Sequence, residues 1–416
     1  MSTTATDPVV TAPKPPRRFT VPDGVRPYLP ALALYGACKL VGLGVFAYLL
    51  EWAGDYRTKD PRFGGGAHWW DVLATWDGWW YLQVAEKGYD PKPLQHLAPG
   101  GVFTVQQDSV AYFPLYPGLI RGVSEVTGLG LYGSAILVSV TASFVAAAGI
   151  YAVISFLAGP RAGTIAAGLW AVVPGAGVQW AVYSESLFIA LAAWTCWCVL
   201  KRHWVAAGLL AFLAGLNRPT SAALIGAVGL AALVVLARKD SRREHGIAGP
   251  VYAMIAAPIG LLTYITWVGL SMGDLTAYFT LQREGWAHYF DFGAYTFDVL
   301  RNTAVGKTNY LFAFPIPDLF AVLLVLTLPF LIALMLRTKP PLVLTAYTLA
   351  SIITVLGTQQ MFANTPRYLL PVFPLLLAPA TALSRLKWTT LTALFVPFAV
   401  ASGWYAHYLM FELGIP

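Results

Sequence analysis

The sequence predicts an all-α, multi-pass membrane protein, and three observations carry that prediction. Of 416 residues, 57% are hydrophobic and only 11% are charged, whereas soluble domains carry about a quarter charged residues. The apolar residues come in continuous runs and do not alternate, which suits helices that satisfy their own backbone and not the strands of a barrel. Eleven of these runs approach the length a membrane crossing needs, about 20 residues with some tolerance.

The runs lie near 28–50, 131–158, 162–178, 187–200, 204–216, 221–237, 250–270, 318–336, 341–357, 367–383 and 389–409. Several are short, which a bundle tolerates where they pack among other helices or border a water-filled cavity. The first 26 residues are polar, rich in Pro and Thr, and carry Arg17 and Arg18. They hold no apolar core for a cleavable signal and read as a disordered tail ahead of one membrane domain over 27–416. Cys38, Cys196 and Cys198 all fall inside apolar runs, so no disulfide framework is expected.

Basic residues orient the runs. Alternate connections read "KPPRRF", "GPR", "KRH", "RKDSRRE", "RTK" and "SRLK", and with the tail they hold 15 of the 27 Lys and Arg. This places the N-terminus and those connections in the cytoplasm. Only Asp7, Asp23, Asp240 and Glu244 of the 20 acids share that side. The remaining acids gather at the other face, which is where the chemistry is expected. A net charge of +7 is first a topology signal in such a chain, and nucleic acid is not an expected partner. The two long connections, about 51–130 and 271–317, both fall outside, and loops of that length usually carry function. No repeat of fixed period appears.

The alternation requires "YFPLYPGLIR", residues 112–121, to stay outside. It reads as an interfacial or re-entrant helix with aromatics at headgroup depth and Arg121 reaching lipid phosphate or a bound anion. Upstream, "WWDVLATWDGWWYLQVAEKGY" (69–89) is read as one helix at about 100° per residue. Asp77 then shares a face with Trp70, Leu73, Trp80, Tyr81 and Val84, while Asp71, Thr75, Gln83 and Glu86 lie opposite. An acid among aromatics at a membrane face is a functional candidate, and such surroundings suit a general base. The bland alternative is turn chemistry at Asp77–Gly78.

In "VYSESLF" (182–188), Ser184 and Glu185 serve either as a helix start or as site residues. "LNRPTS" (216–221) and "NTPRYLLP" (364–371) each set an arginine, Arg218 and Arg367, beside a proline that begins an inward-running helix. Dipole and charge converge there on an anion such as the phosphate of a lipid-linked donor. Snorkelling to headgroups is the alternative. "LQREGWAHYF" (281–290) offers Gln282, Arg283, Trp286, His288 and Tyr289 for sugar or phosphate. His68 and Asp71 stand at helical spacing, but nothing completes a metal site, and no cofactor is expected.

Taken in order and spacing, "WDGWWYLQVAEKGY", "AYFPLYPGLIR", "VYSESLF" and "PRYLLPVFP" resemble the PIG-V family of GPI-mannosyltransferase-like proteins, of the GT-C glycosyltransferase class, over roughly residues 65–385. The likeness is to a bacterial member at the cell membrane. It implies a multi-pass fold whose large first external loop holds the catalytic acid. It also implies a polyprenyl-phosphate sugar donor, typically of mannose, and inverting transfer without a required metal. The family's motifs fall on Trp76 and Asp77; on Tyr112, Phe113, Pro114, Tyr116 and Pro117; on Ser184, Glu185 and Ser186; and on Arg367 and Tyr368. After Arg218 the chain has "PTS" where eukaryotic members have an asparagine–glycine pair, which argues against a GPI intermediate as acceptor.

The expected reaction makes Asp77 the base toward a glycolipid, glycan or protein acceptor. Arg218, Arg367 and Arg121 stabilise the leaving phosphate, and the aromatics position the sugar. Two other readings are a lipid-linked-sugar flippase, which needs polar residues in mid-span where Lys39 is the clear case, and a non-catalytic subunit of a cell-envelope assembly.

Overall fold

A computed structural model describes residues 24–98 and 100–414; the polar tail expected over 1–26 lies, up to residue 23, outside the described residues. The helices run α1 Leu29–Ala53, α2 Asp77–Lys87, α3 Leu115–Thr127, α4 Leu131–Ala158, α5 Pro160–Val172, α6 Glu185–Leu200, α7 Trp204–Gly215, α8 Ser221–Ala237, α9 Lys239–His245, α10 Ala248–Met272, α11 Ala277–Trp286, α12 Ala294–Ala304, α13 Pro315–Arg337, α14 Leu342–Leu356, α15 Thr365–Tyr368, α16 Leu377–Leu383 and α17 Trp388–Tyr405. Two short strands, β1 Tyr289–Phe290 and β2 Thr358–Gln359, pair antiparallel, with Tyr289 opposite Gln359.

Local chemistry sets the helix ends. Prolines open α1, α5 and α13, where a missing N–H costs nothing. Gly54, Gly128 and Gly273 close α1, α3 and α10 in the left-handed region, a conformation in which a side chain is disfavoured.

Each of the eleven apolar runs has a helical counterpart, but the lengths are unequal. Among the described residues, five helices are long and apolar enough to cross a membrane, and one further pair, Phe362–Tyr368 and Phe373–Leu383, is apolar but bent by 71°, as a broken span or a re-entrant loop is. Helices α6, α7, α8 and α14 are apolar but shorter. The run expected over 162–178 is not one helix. Helix α5 stops at Val172, and the chain turns at Pro174–Gly175 into a 3-10 turn, Ala176–Trp180.

The core is built where α1, α4, α5, α6 and α7 pack on one another. It is rich in small residues, including Ala146, Ala147, Ala192 and Ala193, which let helix backbones approach closely in lipid. Tyr35 stacks on Trp170 at 5.4 Å and donates to Gln179 Oε1 at 3.1 Å. Lys39, buried in α1, donates to the Ala176 carbonyl at 2.7 Å and lies 5.8 Å from the Trp180 ring. The break after α5 therefore supplies the carbonyl that the buried amine of Lys39 requires.

The two long connections gather at one end. The first carries α2, a hairpin bridged between His96 and Val105, and α3 lying against α4. The second carries α11, β1 and α12.

Candidate active site

The 69–89 stretch does not form one helix. Trp69–Ala74 is a 3-10 turn, and the chain breaks at Thr75–Trp76 before α2 begins at Asp77. Trp76 adopts φ 56°, ψ −115°, a conformation that costs a non-glycine residue about 1–3 kcal/mol. Its ring packs on Phe63 at 5.1 Å and its backbone N–H donates to the Arg62 carbonyl at 2.9 Å. The break places Asp77 in the first helical turn, where the helix dipole favours a carboxylate. Gly78 allows the approach of the next segment: a Cβ there would stand 3.1 Å from the Val182 carbonyl oxygen.

Asp77 is not a lone acid. One carboxylate oxygen pairs with Arg367, and the other accepts from the Tyr112 hydroxyl at 3.2 Å. Arg367 also holds Glu185, and Glu185 pairs with Arg218 at 2.7 Å. Two acids and two guanidinium groups thus form an alternating chain, Asp77–Arg367–Glu185–Arg218. Arg367 lies between the rings of Tyr183 and Tyr368, at 4.6 and 5.4 Å. Gly175, at φ 86°, lets the 366–367 backbone come close; a Cβ at 175 would meet Arg367 N at 2.7 Å.

Hydrogen bonds fix the surroundings. The Tyr81 and Ser184 hydroxyls share a 2.7 Å bond, and Arg218 donates to Ser184 Oγ at 3.2 Å. Asn217 donates to the Ser184 carbonyl at 3.1 Å. Leu115 N–H donates to the Leu216 carbonyl at 3.0 Å, tying the start of α3 to the corner that carries Arg218. The Tyr112 carbonyl receives Tyr89 and Tyr264 hydroxyls at 2.7 and 2.8 Å. Burial first, and Asp77 next, push the Tyr112 hydroxyl well above its ordinary range, so it remains a donor to Asp77. Burial likewise holds His288 down at about 4; Asp77 pulls it back up and Arg367 lowers it again.

These groups face a cavity of about 380 Å³, within the range of small-ligand sites. Asp77, Tyr81, Tyr112, Phe113, Arg218, Gln282, Trp286, His288, Arg367 and Tyr368 line it. Ser184 and Glu185 lie behind its wall, bonded to the arginines. Tyr116 is buried beneath, its hydroxyl 2.6 Å from Ser139 Oγ. Trp76 is not among the lining residues, and neither are Arg121, Asp71, Arg283 and Tyr289. Arg121 lies on an exposed face of α3 and pairs with Glu125 one turn on, at 3.1 Å. Five residues separate it from Tyr116, so α3 turns it to another side. Asp71 accepts from the His68 N–H at 2.8 Å, and His68 stacks on Trp70 at 4.4 Å. Arg283 lies against the Tyr289 ring at 4.5 Å. No group of three or more His, Cys, Asp or Glu converges among the described residues.

The sequence reading did not single out Tyr183, Asn217, Phe279, Phe290 or Gln360. The first two stand beside residues it did name, in "VYSESLF" and "LNRPTS". Gln360 and Phe279 reach the cavity through the packing of distant helices and carry no local signal.

No protein-family model matches the chain, and no curated protein sequence does. Solved structures do. ArnT from Cupriavidus metallidurans bound to undecaprenyl phosphate superposes with a TM-score of 0.50 at 16% identity, covering 87% of this chain and 61% of that one. The same protein in the apo state gives 0.49 at 14% identity, covering 85% and 61%. The oligosaccharyltransferase of Archaeoglobus fulgidus in its apo form gives 0.44 at 14%, covering 93% and 56%. The chain has the all-α polytopic membrane fold of the GT-C class. It spans about 61% of the length of ArnT, and at this identity the likeness is one of fold.

Proposed function

We propose that this chain is an integral-membrane glycosyltransferase of the PIG-V kind. It transfers a sugar, mannose in the first instance, from a polyprenyl-phosphate donor to an acceptor hydroxyl with inversion. The observation that carries this reading is the convergence of Asp77, Arg218 and Arg367, from three remote parts of the chain, on one cavity at the end of an apolar bundle. The undecaprenyl phosphate bound by ArnT, a protein of like fold, supports a donor of that kind.

The acceptor oxygen attacks the sugar C1 and gives its proton to Asp77. The bond from C1 to the phosphate oxygen breaks with its electron pair, and the donor's diester leaves as polyprenyl monophosphate. Asp77 loses a negative charge while the phosphate gains one. Arg367, which touches Asp77, and Arg218 next along the chain stabilise the charge as it moves. Tyr112 holds Asp77 in place, and Phe113, Gln282, Trp286 and Tyr368 form the sugar and phosphate walls. The cleft faces outside the cell membrane and the N-terminus lies in the cytoplasm, with residues 27–416 acting as one unit.

Purified protein in lipid nanodiscs, given radiolabelled polyprenyl-phosphate mannose and a membrane-glycan extract, tests the reading. Label should pass to an acceptor in the wild type and not in Asp77→Asn. Movement of intact donor between leaflets without a new glycoside would favour a flippase. Absence of both would leave an assembly subunit. Single cysteines at Lys92 and Lys239 test the orientation, with only position 92 expected to label from outside.

A further inference from the structure

A second cavity, of about 300 Å³, adjoins the first. Trp80 belongs to its wall and sits on α2 one turn beyond Asp77. The Trp80 ring stacks on Tyr112 at 5.6 Å and meets Trp286 at 6.0 Å, and Tyr112 and Trp286 lie 6.0 Å apart. These three rings form the partition between the two cavities. Around the second one, Asp90, Gln95, Gln106, Gln107 and Asp108 supply amide and carboxylate groups. Its one lining cation, Lys92, is paired with Asp90 at 3.0 Å.

The hairpin that bears these residues is anchored. Gln106 N–H donates to the Gln95 carbonyl at 2.9 Å and Leu97 N–H to the Thr104 carbonyl at 2.8 Å. Thr104 is bound in turn to the Glu284 carbonyl at 3.0 Å. Gln107 is engaged at both ends: it accepts from Arg62 at 3.1 Å and donates to the Gly285 carbonyl at 3.0 Å. Arg62 also lies 4.8 and 5.0 Å from the Trp79 and Trp80 rings, so this wall is fixed. Gln95 and Gln106 are exposed, and their side-chain amides make no hydrogen bond among the described residues, so each offers both donors and an acceptor to a molecule arriving from solvent.

The two cavities differ in what they suit. The first has two arginines and a rim of Phe279, Phe290, Pro219 and Val355, fit for an anion with an apolar tail. The second sets two carboxylates, Asp90 and Asp108, against one lysine and has few apolar side chains, which disfavours phosphate and lipid and fits a neutral molecule bearing many hydroxyls. We propose that it is the acceptor subsite and that the acceptor is a saccharide, which binds through its hydroxyls to Gln95, Gln106, Asp90 and Asp108, with Trp80, one turn along α2 from Asp77, at the boundary with the donor cavity. This rests on the glycosyltransferase reading.

The test is a binding measurement, so the two can fail separately. Saturation-transfer NMR of the full chain in nanodiscs would use methyl α-mannoside, methyl β-glucoside and methyl β-galactoside as probes, with a blocked threonine tripeptide beside them. Undecaprenyl phosphate binding is followed in parallel by tryptophan fluorescence. At least one glycoside should saturate, should bind about tenfold more weakly to Gln95→Leu/Gln106→Leu, the loss expected for two modest hydrogen bonds, and should not be displaced by undecaprenyl phosphate. The double variant should retain its Tm and its undecaprenyl phosphate binding. No saturating glycoside, equal binding by the variant, displacement by undecaprenyl phosphate, or a loss confined to the tripeptide would each overturn the proposal while leaving the donor site standing. Failure of undecaprenyl phosphate to bind the wild type would instead count against the transferase reading itself.

Discussion

Arg218 and Arg367 look alike in sequence, each beside a proline at the start of an inward-running segment, yet the fold gives them different surroundings. The Arg367 side chain is 2% exposed, holds two carboxylates and lies between two tyrosine rings. Arg218 is 14% exposed and holds Glu185 and the Ser184 hydroxyl. One cation is built in to organise the acids, while the other keeps more of its donor fork toward the cavity. A phosphate would meet Arg218 first.

The largest effect tests what Arg367 organises. Asp77→Asn should lower transfer by about 10²–10⁴-fold, the usual cost of removing a general base, with folding and donor binding intact. Asp71→Asn, whose carboxylate serves only the turn before α2, should retain much more activity; the reverse ranking would move the base to the wrong side of the break at Trp76. Next, Arg367→Ala leaves Glu185 and Asp77 short of a partner and should cost about 3–5 kcal/mol of stability, read as a fall in Tm. Arg367→Lys keeps the charge but loses the fork, and should lower kcat more than it raises donor KM. Arg218→Ala should do the opposite, raising donor KM by the factor that a lost charge-assisted bond of about 1.5–3 kcal/mol implies. If Arg218→Ala melts the protein as Arg367→Ala does, the two cations share one structural role.

The smallest effect is a pH slope. His288, held at about 4 in the folded protein, stays neutral where an unfolded chain takes up a proton near its ordinary 6.5. The unfolded state therefore binds more protons between those values, and stability falls as pH drops through that window. His288→Asn should flatten this part of the Tm profile and leave activity above pH 5 without a new acid limb.

Much of the fold was legible because hydropathy is local. Ten of the eleven runs became a helix or a bent pair, the run over 162–178 broke after Val172, and the basic connections fell between them. Legibility stopped where distant segments decide. The pairing of Asp77 with Arg367 spans 290 residues, so the sequence offered Asp77 only as a lone acid. The helical wheel over 69–89 failed at Trp76, where contacts with Phe63 and the Arg62 carbonyl hold a backbone that periodicity cannot anticipate. Arg121 looked like an anion ligand because it ended an aromatic motif, but α3 turns it away from Tyr116.

Lys39 has a consequence for how the protein is made. Helix α1 leaves the ribosome before α5 does, with an ammonium near its middle, a group that costs about 2.5–3.5 kcal/mol at the centre of an inserting helix. The carbonyl that receives it, at Ala176, is synthesised 137 residues later. Until the chain has passed the break after α5, α1 has no native partner for that charge and must shield it with water or headgroups. Nascent chains halted before Ala176 should therefore leave Lys39 open to aqueous amine reagents, and chains halted well beyond it should not, which would date the closing of the bundle to the synthesis of one turn.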